Sequence, residues 1–231
     1  MLVEDFPRES MPARKSTSAL LCAVLAIWIL TCACTRMRCA GELDARDQFT
    51  LYGDAGTPPR QGDFALYMPA PAAELAGGAD MVRLNLRDTD RPASGSTAIR
   101  VDAVLRPPNW AGVAFGFPDY WGERDADTCW DLRGMRRLVF EARGARGGEC
   151  IQVQVAIAGD RPFGDSQRPP VRGPWITLGT GWKRFELDVS HAALRRVVTP
   201  FAVFADTAHN PSCKLTFYLD DIRFERGDEA R

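Results

Sequence analysis

The segment Leu215-Thr-Phe-Tyr-Leu-Asp-Asp-Ile-Arg-Phe224 decides how this chain folds. Leu215, Phe217 and Leu219 recur at every second position, the period of a strand with one face in a core. Ile222 and Phe224 fall on the other parity. One extra residue near Asp220-Asp221, a β-bulge, returns all five apolar side chains to the same side. The sequence therefore predicts a sheet with one buried face and a kink built into its closing strand.

The same alternation recurs upstream. Ile99, Val101, Ala103 and Leu105 form one set, and Leu138, Phe140 and Ala142 a second. Ile151, Val153, Val155 and Ile157 form a third, and Phe185, Leu187 and Val189 a fourth. Phe64–Tyr67 and Met81–Leu86 are shorter strand candidates. Turn signals at Pro107-Pro108, Gly144, Gly147-Gly148, Gly159-Asp160, Pro169-Pro170 and Gly179-Thr-Gly181 separate these runs. Helix is confined to one-turn candidates at Asp131–Arg136 and Ala192–Arg196. Short alternating strands at close intervals predict an all-β, antiparallel two-sheet sandwich or barrel, not βαβ units.

With 231 residues the chain can bury one sizeable core. Its formal net charge of −1 supplies no global field toward nucleic acid or an anionic membrane surface. Only two histidines are present, and no Cys-x-x-Cys or His-x-x-x-His spacing occurs. That argues against a zinc site and against a histidine-based triad.

The first forty residues read as an address. Arg14 and Lys15 precede the apolar run Ala19–Leu30, which has the length of a signal-peptide core and is short for a membrane span. The expected location is extracytoplasmic, periplasmic or cell-surface, with a single membrane anchor as the alternative. Thr31-Cys32-Ala33-Cys34 places a small residue before a cysteine, as lipoprotein signals do, so Cys34 is the expected lipidation site; cleavage near Ala40 is the other exit. Lipidation of Cys34 leaves Cys39, Cys129, Cys150 and Cys213, an even number with three pairings in an oxidising compartment. The resulting division is residues 1–40 as signal, 41–63 as N-terminal extension and first strand region, 64–226 as the sandwich and 227–231 as a polar tail.

Several strings, taken in order, resemble a known kind of secreted module. They are Ser94–Val101, Trp110-Ala-Gly-Val, Trp121-Gly122, Asp131–Gly144 with Gly147-Gly-Glu149, Ile176–Ser190 and Phe217–Glu225. Together they resemble jelly-roll domains of the galactose-binding-like class, of the carbohydrate-binding-module type, over residues 64–226. The resemblance implies a two-sheet jelly roll that binds an oligo- or polysaccharide on a concave face or at loop tips. It also implies a structural calcium near the closing strand as an option, with no other cofactor required. The chain departs from this pattern at Ala76–Asp80 and Asp119-Tyr120, where relatives carry tryptophans and amides.

The aromatic stretch Trp110–Gly122 supplies the candidate platform. Tyr120 and Trp121, with Trp110, suit stacking on sugar rings. Arg143, Glu149, Gln152 and Gln154 are the polar candidates, since amides and guanidinium forks match vicinal hydroxyls. Trp175, read as a loop residue after Pro174, is a further candidate for the platform. The competing assignments are structural: Trp110 sealing the core, Trp121 plugging one end of the sandwich, Trp130 and Trp175 in core or edge packing, and Trp182 covering an outer sheet face or an edge. Asp220 and Asp221 either bind calcium with Asp47 or Asp54, or accept backbone N–H bonds. The acids Asp119, Glu123, Asp125 and Asp127, crowded near Trp121, are candidates for a catalytic carboxylate pair, and clustered loop acids are more often solvated charge. The expected function is non-catalytic glycan binding by an exported envelope protein that meets the membrane only through its signal or lipid. A glycan-cleaving hydrolase or lyase and a structural envelope protein are the alternatives.

Overall fold

The computed structural model describes residues 48–53, 63–67, 82–106, 110–116 and 129–227, all within one unit spanning Arg38–Arg231. In chain order the strands are β1 (Gln48–Tyr52), β2 (Asp63–Tyr67), β3 (Val82–Asp88), β4 (Ala98–Val104), β5 (Trp110–Gly116) and β6 (Arg137–Gly144). They continue as β7 (Cys150–Val155), β8 (Val171–Thr177), β9 (Lys183–Asp188), β10 (Phe201–Asp206) and β11 (Lys214–Glu225). No helix occurs among the described residues. Sheet 1 runs β3-β4-β11-β6-β9 with β1 also paired to β11, and sheet 2 runs β2-β5-β10-β7-β8. Every strand pairing is antiparallel. This is the expected two-sheet jelly-roll sandwich.

The core is made of the alternating residues that the sequence nominates. Sheet 1 buries Ile99 and Val101, Leu138 and Phe140, and all five apolar residues of β11. Sheet 2 buries Val113 and Phe115, Ile151 and Val153, and Phe201 and Val203. Phe140 and Phe201 meet edge to face between the sheets, with centroids 6.0 Å apart. Trp130 is 1% exposed, stacked on Phe115 at 5.4 Å and edge-on to Phe49 at 5.9 Å. Its backbone forms a two-way bridge with Val197, at 2.8 and 2.9 Å, which pins the loop after β9 across the end of the core.

The bulge lies where the parity change demands it. The register of β11 against β6 shifts between Asp220 and Arg223, and Asp221 adopts a φ of +50°. The Asp220 side chain is buried and accepts backbone N–H bonds from Ala93 (2.9 Å), Ser94 (3.1 Å) and Asp221 (2.8 Å). Burial pushes its pKa up, and those three bonds oppose the shift. Among the described residues no group of three or more His, Cys, Asp or Glu side chains is placed to hold a metal. Asp47 and Asp54 lie outside the described residues.

Two local expectations need correction. Trp175 is not in a loop: Pro174 and Trp175 belong to β8, the edge strand of sheet 2. An edge strand tolerates proline because it has one side without ladder partners. Gln152 pairs with Trp175 and Gln154 with Arg172, so β8 carries one residue more than β7 at Gly173-Pro174. Nor do four cysteines make two bridges. Cys129 is disulfide-bonded, while Cys150 and Cys213 are free thiols and not bonded to each other or to Cys129. Burial pushes the Cys150 thiol pKa up, away from reactivity.

Trp130→Ala is expected to cost about 3–5 kcal/mol, the usual range for truncating a large buried aromatic. Urea unfolding should show a lower midpoint with an unchanged slope.

Candidate functional site

The sandwich has two outer faces, and the pairing register fixes which side chains reach each. On sheet 2 the row Trp175, Gln152, Phe204 and Gly112 runs across four strands, and the next row is Arg172, Gln154, Ala202 and Ala114. A third contains Thr177 and Cys150, and Asp206 stands opposite Trp110. In the first two rows β5 and β10 carry only glycine or alanine, apart from Phe204. Adding a Cβ to Gly112 would bring it within 2.7 Å of the Phe204 ring, so glycine there lets that ring lie down on the sheet. Phe204 in turn packs edge-on against Trp110 at 5.5 Å. Trp110 therefore sits on the outer face, half-buried, and does not plug the core.

The half-exposed chemistry gathers on β7, β8 and the turn after β10. Trp175 stacks on His209 with centroids 3.8 Å apart and planes 18° from parallel. Asp206 holds that imidazole: its Oδ1 accepts the His209 backbone N–H and lies 2.8 Å from Nδ1. Asn210 locks the turn, donating to the Cys150 and Asp206 carbonyls and accepting the Cys150 N–H. Beside the indole, Gln154 donates to Gln152 Oε1 at 2.9 Å, and Gln152 donates to the Gly173 carbonyl at 3.0 Å. The bulge carbonyl at Gly173 thus orients a chain of two amides along the sheet. Each amide keeps further donor or acceptor capacity for a ligand. Arg172, exposed in register with Gln154, adds a guanidinium to the same edge.

The other polar candidates are not part of this group. Arg143 belongs to β6 and points from the outer face of sheet 1, because the chain crosses between sheets in the turn before β7. Arg143 is only 1% exposed. Its guanidinium carbon lies 3.6 Å from the centre of the Tyr218 ring, and it donates to the Asp90 carbonyl (2.6 Å) and carboxylate (3.1 Å). Trp182 covers the same place, 5.2 Å from that carbon, and donates its indole N–H to the Arg91 carbonyl at 2.6 Å. Arg143, Trp182 and Asp220 together fasten the loop before β4 onto sheet 1. Glu149 sits in the crossing turn, buried against Gly144, and accepts the Arg146 N–H at 2.9 Å. Tyr120, Trp121 and the acids Asp119, Glu123, Asp125 and Asp127 lie outside the described residues, as do Cys34 and Cys39.

Sequence reasoning found Trp110, Gln152 and Gln154 and weighed Trp175 as a loop residue joining the platform, but did not nominate His209, Asp206, Arg172 or Phe204 for this face. The signal for Phe204 and Asp206 was present in the alternation of Phe201, Val203 and Ala205.

No family model matches this chain, and no curated protein matches it either. Solved structures do. A family 30 carbohydrate-binding module is similar at a TM-score of 0.50 and 14% identity, over 80% of this chain and 90% of that one. The family 11 carbohydrate-binding module from Clostridium thermocellum, solved with a β-1,3-1,4-mixed-linked tetrasaccharide, gives 0.46 and 11%, over 77% and 95%. The family 29 module CBM29_1 from Piromyces equi gives 0.42 and 8%, over 78% and 90%. At such identities the likeness establishes a fold: this chain has the jelly-roll β-sandwich of carbohydrate-binding modules.

The Asp90–Arg143 contact can be tested by titration. The hydrogen bond from Arg143 holds the Asp90 carboxyl below its usual range. A depressed folded-state pKa means that the stabilisation is complete above the ordinary value of about 3.9 and is lost as pH falls through the lower folded value. The difference in urea midpoint between the wild type and Asp90→Asn is expected to be constant near neutrality and to shrink in acid.

Proposed function

We propose that this chain binds a saccharide, without transforming it, on the outer face of sheet 2. The observation that carries this reading is the Trp175–His209 stack beside the Gln152–Gln154 amide chain. A flat apolar ring flanked by in-plane donors and acceptors matches a sugar ring, whose C–H face is apolar and whose hydroxyls lie at its rim. Trp110 and Phe204 extend the aromatic area toward the opposite edge, and Tyr120 and Trp121 follow β5 in the chain. The fold shared with a family 30 carbohydrate-binding module supports the same reading. No cofactor is needed for it.

Affinity is expected in the micromolar to millimolar range, about −8 to −4 kcal/mol, because a shallow face recovers little beyond the cost of association. Export completes the proposal: the Ala19–Leu30 run and the disulfide at Cys129 both suit an oxidising, extracytoplasmic compartment, with Cys34 carrying lipid.

A panel of neutral oligosaccharides, read by calorimetry, tests the site. Trp175→Ala is expected to weaken the best ligand roughly tenfold or more, about 1.4 kcal/mol, while near-UV dichroism confirms folding. Equal affinity for the two proteins, or no ligand in the panel, would leave a sandwich without a sugar site. For the anchor, labelled palmitate should be incorporated by the full chain in a bacterial host and not by Cys34→Ser.

A further inference from the structure

We propose that the outer face of sheet 1 carries a second binding site, for the carboxylate groups of an acidic polysaccharide. It occupies a surface cleft of about 670 Å³ where β3, β4, β11 and the turn after β6 meet. Arg83, Arg100, Arg146 and Lys214 line it, and Asp102 is the one carboxylate among its described lining residues. Asp102 is already engaged. It accepts from Arg100 Nε at 2.9 Å and Nη2 at 3.1 Å, and from the Thr216 hydroxyl at 2.6 Å.

Elsewhere on this face several cations are matched. Arg137 and Arg184 reach Glu186 and Glu225, Arg223 reaches Asp221 and Glu225, and Arg143 reaches Asp90. Arg146 and Lys214 break that pattern. The Arg146 side chain donates one 3.3 Å bond, to the Lys214 carbonyl, and neither cation has a carboxylate within 4 Å among the described residues. Two adjacent cations in a concave site, without counter-charges, favour an incoming anion.

The surroundings narrow the ligand. Val104, in register with Lys214 and 40% exposed, is the large apolar side chain left open on the described surface, and Ala103 and Ala145 also line the cleft. An apolar floor beside a guanidinium fork suits a sugar ring that bears a carboxylate, because the planar group can take two parallel N–H bonds. A neighbouring cleft of about 320 Å³ shares Arg146, Lys214 and Leu215 but also contains Glu149, whose Oε2 is buried without a partner. That negative oxygen confines the anion to the first cleft. A formal net charge of −1 supplies no global field toward a bilayer or a duplex.

Affinity electrophoresis of the full chain in gels containing polygalacturonate, at low ionic strength, tests the proposal. The wild type should be retarded. Arg146→Ser combined with Lys214→Ser should lower the affinity about tenfold, added salt should do the same, and Trp175→Ala should leave retardation unchanged. Both substituted side chains are exposed, and near-UV dichroism checks the fold. Lys214→Glu gives an independent variant that should reduce retardation further by repulsion. Absence of retardation, or equal retardation of the wild type and double variant, overturns the proposal. So does binding to phosphatidylglycerol vesicles or single-stranded DNA at least as tight as to polygalacturonate and lost in the same double variant. Because the two sites are on opposite faces, loss of neutral-sugar binding alone bears on sheet 2 only.

Discussion

The constraint on which the sandwich depends is the change of parity in β11. This strand is central to sheet 1, pairing with β6 along one edge and with β4 and then β1 along the rest. Without an extra residue, Ile222 and Phe224 would face solvent while Arg223 and Glu225 entered the core. The left-handed backbone at Asp221 absorbs that residue, and the buried Asp220 carboxylate binds the backbone at Ala93 and Ser94 across the bend. One side chain therefore sets the register of the strand and secures the loop that leads into β4. A carboxylate buried without a cation is costly, and here three N–H donors offset its desolvation.

Once β11 is fixed, the outward positions of the other strands follow. Sheet 1 presents arginines and carboxylates in rows, with Arg143 sealed beneath Trp182. Sheet 2 presents rings and amides. The contrast has a local cause on β5, where Gly112 and Ala114 keep the outward side low while Val113 and Phe115 fill the core. A low middle strip lets Phe204 lie flat and leaves the taller side chains to the flanks. A face of that shape suits an extended, flat ligand better than it suits a compact charged one.

How much of this was legible in the sequence varies with how local the cause is. The bulge, the core parities of β4, β6, β7, β9 and β11, and the outward Gln152 and Gln154 all follow from period-2 alternation within single segments. The Trp175–His209 stack did not, because the two rings come from β8 and a turn beyond β10, which meet only through the packing order of sheet 2. Pro174 argued for a loop, and only its place at an edge reconciles it with a strand. Arg143 and Gln152 read as neighbours along the chain. They lie on opposite sides of the molecule because the turn carrying Gly147 and Gly148, both at positive φ, passes the chain from one sheet to the other.

That crossing also makes two sites on one small domain physically reasonable. Packed sheets stand about 10 Å apart, and the outward side chains add further distance on each side. At physiological ionic strength charges are screened over about 8 Å where solvent intervenes. The cations at Arg146 and Lys214 thus act on a ligand in their own cleft and have little influence on the uncharged amides and rings across the sandwich. Conversely, stacking on Trp175 is short-ranged and gains nothing from the field of sheet 1. A chain with almost no net charge can in this way keep one face dominated by cations and carboxylates and another dominated by rings and amides, and the two would select ligands by different interactions.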